Sequence, residues 1–319
     1  LALVAKRING EVILPGFTFV ASANSIVTAG AVPVFAEVRP DTFNIDPDSI
    51  KKKITKKTQA IMVVHFAGQC CQMDEIVKIA DKYGLLLIED SAETIGGKFR
   101  SKMAGSFGVG CFSFFPTKNI TTGEGGMVTT NDKRLAQDIK TYASHGIQGS
   151  TLSRTLRARP WIRDAQFAGY NFRLSNILAA IGVEQLKRLN ALNSLRRRHA
   201  EFLNSRLSQI QEIRVPEQAK NRFHVYQMYV ITVDEKKINR DKFILNLRKN
   251  GVGASVHFTP PAHLHTYYRK KFGFRKGDLP ITEKLANSVV TLPMYPQMKE
   301  RELKVMVKII ENSIKHARR

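Results

Sequence analysis

Six short apolar runs, at residues 12–14, 32–35, 60–66, 85–89, 111–115 and 127–130, are mostly continuous rather than alternating. A strand with one wet face alternates apolar and polar side chains, whereas a strand covered on both faces does not. Helical patterns lie between the runs. Ile76, Ile79, Ala80 and Tyr83 recur at helical spacing and Gly84 stops that helix, while Asn131 or Asp132 can cap a helix carrying Leu135, Ile139 and Tyr142. Buried strands joined by helices predict an α/β fold: a mostly parallel sheet with helices on both faces.

From about Ser175 a long helix is predicted, kinked or broken once, carrying Ile177, Ile181, Leu186, Leu189, Phe202 and Leu207. It reads as the bridge between a large domain at residues 1–187 and a smaller α+β domain at 188–319. The smaller unit is expected to hold strands at 225–233 and 254–258, with a helix between them that carries Phe243, Ile244 and Leu247 and stops at Gly251. A final helix presents Leu303, Met306, Val307, Ile310 and Ile314 on one face. These stripes need nothing beyond a core to explain them.

With 319 residues the chain is long enough for two cores. No apolar run approaches the ~20 residues of a membrane span, and no basic-then-apolar leader is present. The adjacent pair Cys70-Cys71 and the third cysteine, Cys111, suit free thiols in a reducing cytoplasm, and no His or Cys shows metal-ligand spacing. The chain opens on Leu1, and residues 1–6 read as the tail of a helix feeding the first strand, so an N-terminal truncation is expected. The net charge of +23 exceeds what a small anionic substrate requires. Its clusters, such as 51–53 and 196–198, are scattered and not interleaved with aromatics, which favours a solvated basic surface over a nucleic-acid site.

The run at 85–88 ends in Glu89-Asp90, and downstream Lys118 stands in Ser113-Phe-Phe-Pro-Thr-Lys118-Asn-Ile-Thr-Thr-Gly-Glu-Gly-Gly126. A single lysine in a Gly-rich turn behind a strand ending in carboxylates suits pyridoxal phosphate. The amine condenses with the cofactor aldehyde, and a carboxylate pairs with the protonated ring nitrogen so that the ring accepts electrons. Asp90, at the carboxyl end of its strand, stands where α/β enzymes place ligands. Glu89 points to the other side and is assigned to structure.

These blocks resemble the DegT/DnrJ/EryC1/StrS family of sugar aminotransferases. The resemblance rests on Glu89-Asp-Ser-Ala92, Gly105-Ser-Phe-Gly108, Phe112 to Asn119 and Thr121 to Gly126. It extends through Pro15-Gly-Phe-Thr-Phe-Val20, Gly169-Tyr-Asn-Phe-Arg173 and Ser255-Val-His-Phe-Thr-Pro-Pro-Ala-His263, so it covers nearly the whole chain. It implies the type I fold of pyridoxal phosphate enzymes. It also implies transamination of a nucleotide-diphosphate keto-sugar, with glutamate and 2-oxoglutarate as the donor pair.

By that resemblance Lys118 carries the cofactor and moves the substrate proton, and Asp90 meets the ring nitrogen. Phe19 stacks on the cofactor face, Ser113 binds the phosphate, and Glu93 faces the phenolic oxygen. A Glu there is similar to enzymes making 4-amino-4,6-dideoxy sugars such as perosamine. Two anionic oxygens repel, so Glu93 is expected to be protonated or bridged by a donor. Asn171 is expected to reach the phosphate from the second subunit of a homodimer, and His257 and His263 to lie near the substrate. The resemblance also implies a Ser-Gly-Thr turn that binds the phosphate, expected upstream of Leu1. Two other readings stay open: a dehydratase of the same family, which carries His where this chain has Lys118, and a nucleic-acid-binding regulator supported only by the charge.

Overall fold

The computed structural model describes residues 1–149, 159 and 161–319. The first half runs α1 (Ala2–Ala5), β1 (Glu11–Pro15), α2 (Val20–Thr28), β2 (Val32–Ala36), α3 (Pro47–Lys53), β3 (Thr58–Val64), α4 (Met73–Tyr83) and β4 (Leu86–Asp90). It continues through the short β5 (Lys98–Phe99) and β6 (Lys102–Met103) to β7 (Val109–Ser113), β8 (Gly126–Thr129) and α5 (Lys133–Ala143). Six strands form one sheet in the order β2-β1-β3-β4-β7-β8. Every pairing in it is parallel except β7 with β8, so the sheet is mostly parallel, as its unbroken apolar runs required.

Alternate residues of the central strands enter different cores. Val12, Leu14, Ala60, Met62 and Ile88 pack on one face of the sheet, and Ile13, Ile61, Val63 and Leu87 on the other. Each strand is therefore apolar throughout. Asp132 caps α5 by accepting from the N–H groups of Arg134 and Leu135, and Gly84 ends α4 in the left-handed conformation.

The helix expected from Ser175 is α6 (Asn176–Leu207), and its 32 residues are unbroken. The expected break does not form: the helix contains no proline and serves two cores in turn. Leu189 and Leu192 pack on Phe114 and Ile120, whereas Ala200, Leu203 and Leu207 belong to the core of the C-terminal half. That half continues with β9 (Ile213–Arg214), β10 (Arg222–Phe223), β11 (Tyr229–Val233), α7 (Arg240–Lys249), α8 (Thr266–Phe272), α9 (Pro280–Ser288), β12 (Val289–Leu292) and α10 (Glu300–Ala317). Strands β12, β11 and β9 form an antiparallel sheet whose apolar face meets α7 and α10.

The strand expected at 254–258 shrinks to one bridge, in which Ser255 and Thr291 exchange N–H···O bonds of 2.9 and 2.8 Å. Pro260 and Pro261 follow, and a proline offers no N–H to a ladder, so the chain leaves the sheet instead. It then crosses to the first half of the molecule. Tyr268 of α8 packs edge-on to Phe35 of β2 at 5.6 Å, and its hydroxyl donates to Asn24 Oδ1 of α2 at 2.6 Å. Among the described residues no helix is long and apolar enough to cross a membrane.

Candidate active site

The parallel strands β1, β4 and β7 end on the same edge of the sheet, and their carboxyl ends open into one cleft of about 1100 Å³. β1 delivers Phe19 through the turn at 16–19 that starts α2, β4 ends on Asp90, and β7 ends on Ser113. The chain then turns through Phe115 and Thr117 to Lys118. Phe19, Asp90, Glu93, Ser113, Lys118 and His257 all line this cleft. Six of the eight residues singled out from sequence are thereby brought together.

Lys118 is held from several directions. Its own N–H donates to the Phe115 carbonyl at 3.0 Å, and the Thr117 carbonyl accepts from Gln227 Nε2 at 3.0 Å. Asn119 donates to Asn193 Oδ1 of α6 at 2.6 Å. Behind the turn, Phe114 donates to the Gly125 carbonyl at 2.9 Å, and a side chain at Gly125 would lie 2.7 Å from Thr122 Oγ1 with φ at +150°. That position requires glycine.

The Lys118 ammonium lies 3.9 Å from Glu93 Oε1, while Glu93 Oε2 accepts the Ala67 N–H at 2.8 Å. Burial pushes the Glu93 carboxyl above its ordinary range, and the Lys118 charge opposes this only in part. Asp90 is held at both oxygens: Oδ2 accepts from Ser22 Oγ at 2.7 Å and Oδ1 from the Ala92 N–H at 3.1 Å. Ser22 Oγ in turn lies 2.9 Å from Thr18 Oγ1. Phe19, between the two hydroxyls in sequence, leaves 58% of its surface open at the cleft.

His257 closes the cleft from the C-terminal half, and its Nδ1 lies 3.0 Å from Thr291 Oγ1 of β12. Burial, aided by the Lys118 charge, holds its imidazole below the usual range and hence neutral at pH 7. His263, expected near the substrate, lies elsewhere. It is fully buried, with Nε2 3.1 Å from Glu283 Oε1 of α9, and it packs near Phe35. A histidine two residues past a Pro-Pro turn reads the same in sequence whether it faces the cleft or the core. Asn171 is exposed and outside the cleft of its own chain, and its Oδ1 accepts from Arg173 at 3.3 Å.

Sequence reasoning passed over Thr18, Ser22, Gln227 and Asn193. Thr18 and Ser22 offered one signal, hydroxyls four residues apart on either side of Phe19 at the start of a helix. Gln227 and Asn193 offered none, because only folding brings them beside Lys118.

Known proteins resemble this chain along nearly its whole length. The DegT/DnrJ/EryC1/StrS aminotransferase family profile matches residues 1–311. The spore coat polysaccharide biosynthesis protein SpsC of Bacillus subtilis is 36% identical, over 99% of this chain and 83% of its own. GDP-perosamine synthase of Caulobacter vibrioides is 37% identical, over 95% and 79%. The solved aminotransferase of Psychrobacter cryohalolentis superposes with a TM-score of 0.93 at 31% identity, over 99% and 84%. The chain belongs to the DegT/DnrJ/EryC1/StrS aminotransferase family.

Proposed function

We propose that this protein is a pyridoxal phosphate-dependent transaminase that moves an amino group from glutamate to a nucleotide-linked keto-sugar. The family uses pyridoxal phosphate. One observation carries the reading for this chain: Lys118 and Asp90 face one cleft at the carboxyl ends of parallel strands, beside a phenylalanine ring left 58% exposed. An open aromatic face, an amine and a carboxylate with lone pairs to spare are the donor set the coenzyme needs. Lys118 would hold it, Asp90 would meet its ring nitrogen, Phe19 would stack on it, Ser113 would bind its phosphate, and Glu93 would stand at its phenolic oxygen. Bound there, the coenzyme supplies an electron sink for the carbon that loses a proton.

The chain's own residues supply the rest. Lys118 Nζ would accept the proton that the donor's α-carbon loses, as a neutral amine can. Glu93, with its carboxyl raised by burial, can donate a hydrogen bond to an anionic oxygen rather than repel it. His257, neutral and anchored through Nδ1, lines the cleft and would offer its other nitrogen to the substrate. The specific sugar, suggested by the GDP-perosamine synthases among the relatives, would be a 4-keto-6-deoxy hexose on a nucleotide.

The active unit in this reading is a homodimer. Ile177, Ile181 and Leu186 of α6 are 76%, 45% and 55% exposed, and Phe172, next to Asn171, is 63% exposed. Such a flank suits a second copy, whose Asn171 would then reach the phosphate. Protein mixed with pyridoxal phosphate is expected to develop an imine absorption band that Lys118→Ala removes. Glutamate and a nucleotide-linked 4-keto-6-deoxy sugar should then yield 2-oxoglutarate and the amino sugar. A band that survives Lys118→Ala rejects the lysine assignment, and absent transfer across a panel of keto-sugars rejects the substrate class.

A further inference from the structure

Helix α2 contains three side-chain hydroxyls, and they behave differently. Ser25 Oγ donates to the Ser22 carbonyl at 2.7 Å and Thr28 Oγ1 to the Asn24 carbonyl at 2.9 Å, which is the ordinary back-bond of a helical hydroxyl. Ser22 instead reaches out of its helix to Asp90 Oδ2 at 2.7 Å, at the end of β4. Thr18 Oγ1 stands 2.9 Å behind it. Both residues are buried, with 5% and 1% of their surface exposed.

A carboxylate only accepts, so the Ser22 proton points at Asp90; the Ser22 oxygen then accepts from Thr18 Oγ1 at 2.9 Å, a closer acceptor than the Phe19 carbonyl at 3.3 Å. The direction of the relay is thereby fixed, Thr18 to Ser22 to Asp90, and each bond strengthens the next. With the Ala92 N–H on Oδ1 at 3.1 Å, the Asp90 carboxylate is pinned at both oxygens and cannot rotate about its last bond. With two donors it keeps lone pairs to spare, and the residue lines the cleft. The same relay latches the start of α2, and so Phe19, to the end of β4.

Resting on the pyridoxal phosphate reading above, we propose that Ser22 and Thr18 are positioning residues that aim Asp90 at the ring nitrogen of the coenzyme. Both stand at the wall of the cleft, and in this proposal they act through Asp90. Their effect is read at the nitrogen that Asp90 faces.

The test uses the full chain loaded with pyridoxal phosphate carrying ¹⁵N in its ring, observed by NMR, with coenzyme affinity measured by titration. Ser22→Ala is expected to move the ring-nitrogen resonance toward the unprotonated position and to weaken coenzyme binding about tenfold, the scale of one lost hydrogen bond to a charged group. Ser22→Thr, which keeps the hydroxyl, should restore both. A Ser22→Ala resonance identical to wild type overturns the proposal. So does a Ser22→Thr resonance displaced as far as that of Ser22→Ala, because packing rather than the hydroxyl would then be at work. Should Ser22→Ala not fold, Thr18→Val reads the same relay: a smaller displacement in the same direction supports it, and none overturns it. Wild-type protein that fails to retain the labelled coenzyme rejects the pyridoxal phosphate reading itself, before any variant is compared.

Discussion

At the end of β4, Glu89 turns its carboxylate into the protein and Asp90 turns its own toward the cleft. Glu89 has no exposed surface and four donors: the N–H groups of Gly105, Phe107 and Gly108 at 2.7–2.8 Å, and His65 Nε2 at 3.1 Å. Burial alone would raise the Glu89 carboxyl, but the His65 contact and those N–H bonds outweigh it and hold the group below its ordinary range. Asp90 has two donors and lone pairs left over. Saturation by internal partners makes a carboxylate a structural tie, and partial saturation at a cleft leaves it able to take a ligand. The chemical group is the same on both sides; the number of donors that reach it differs.

The largest expected break in this contrast comes from the cleft side. Lys118→Ala should lower amine transfer on the order of 10⁴-fold while leaving the unfolding transition near that of wild type, measured by steady-state kinetics beside denaturant titration. On the structural side the pattern should invert. Glu89→Gln sets an NH₂ donor against N–H donors in a dry site and should cost about 3–5 kcal/mol of stability in the same titration. An unchanged midpoint would mean that Glu89 does not tie the 105–108 loop. Asp90→Ala should fall between these, losing about 10²–10³-fold in turnover with little loss of stability, because the group it frees lies at the cleft.

A fourth outcome concerns acid. His224 is buried, its Nδ1 accepts the Tyr226 N–H at 3.0 Å, and burial lowers its imidazole from 6.5 to about 3. The unfolded chain takes up this proton first, so stability should fall as pH drops below 6.5 and continue falling toward about 3. His224→Gln should make that decline shallower between pH 7 and 4, read from unfolding curves; an equal slope would remove His224 as a source. The smallest effect belongs to the exposed ring. Phe19→Ala should weaken coenzyme binding several-fold, about 1 kcal/mol of stacking, with the melting curve unchanged.

Much of this contrast was legible before folding. Continuous apolar runs announced a sheet buried on both faces, and the parallel order with its antiparallel edge strand β8 follows that expectation. The placement of Asp90 at the last position of β4 could be read from where the apolar run stops. By contrast, the strand expected at 254–258 and the break expected in α6 did not form. A β-like run says nothing of the two prolines that divert it, and a helix that changes partners midway shows a blurred stripe that resembles a break.

The candidate residues that line the cleft, and the strand ends that carry them, were determined by the sequence itself, because apolar periodicity and a few reactive side chains are local properties. What surrounds those residues was decided only in three dimensions. Ser22 meets Asp90 across 68 positions of chain, Gln227 meets Thr117 across 110, and His263 retreats to Glu283 rather than facing the cleft. Hydrogen bonds reach about 3 Å whatever the chain separation, so partners of this kind carry no periodic signature and appear only once the sheet edges and α6 are in place.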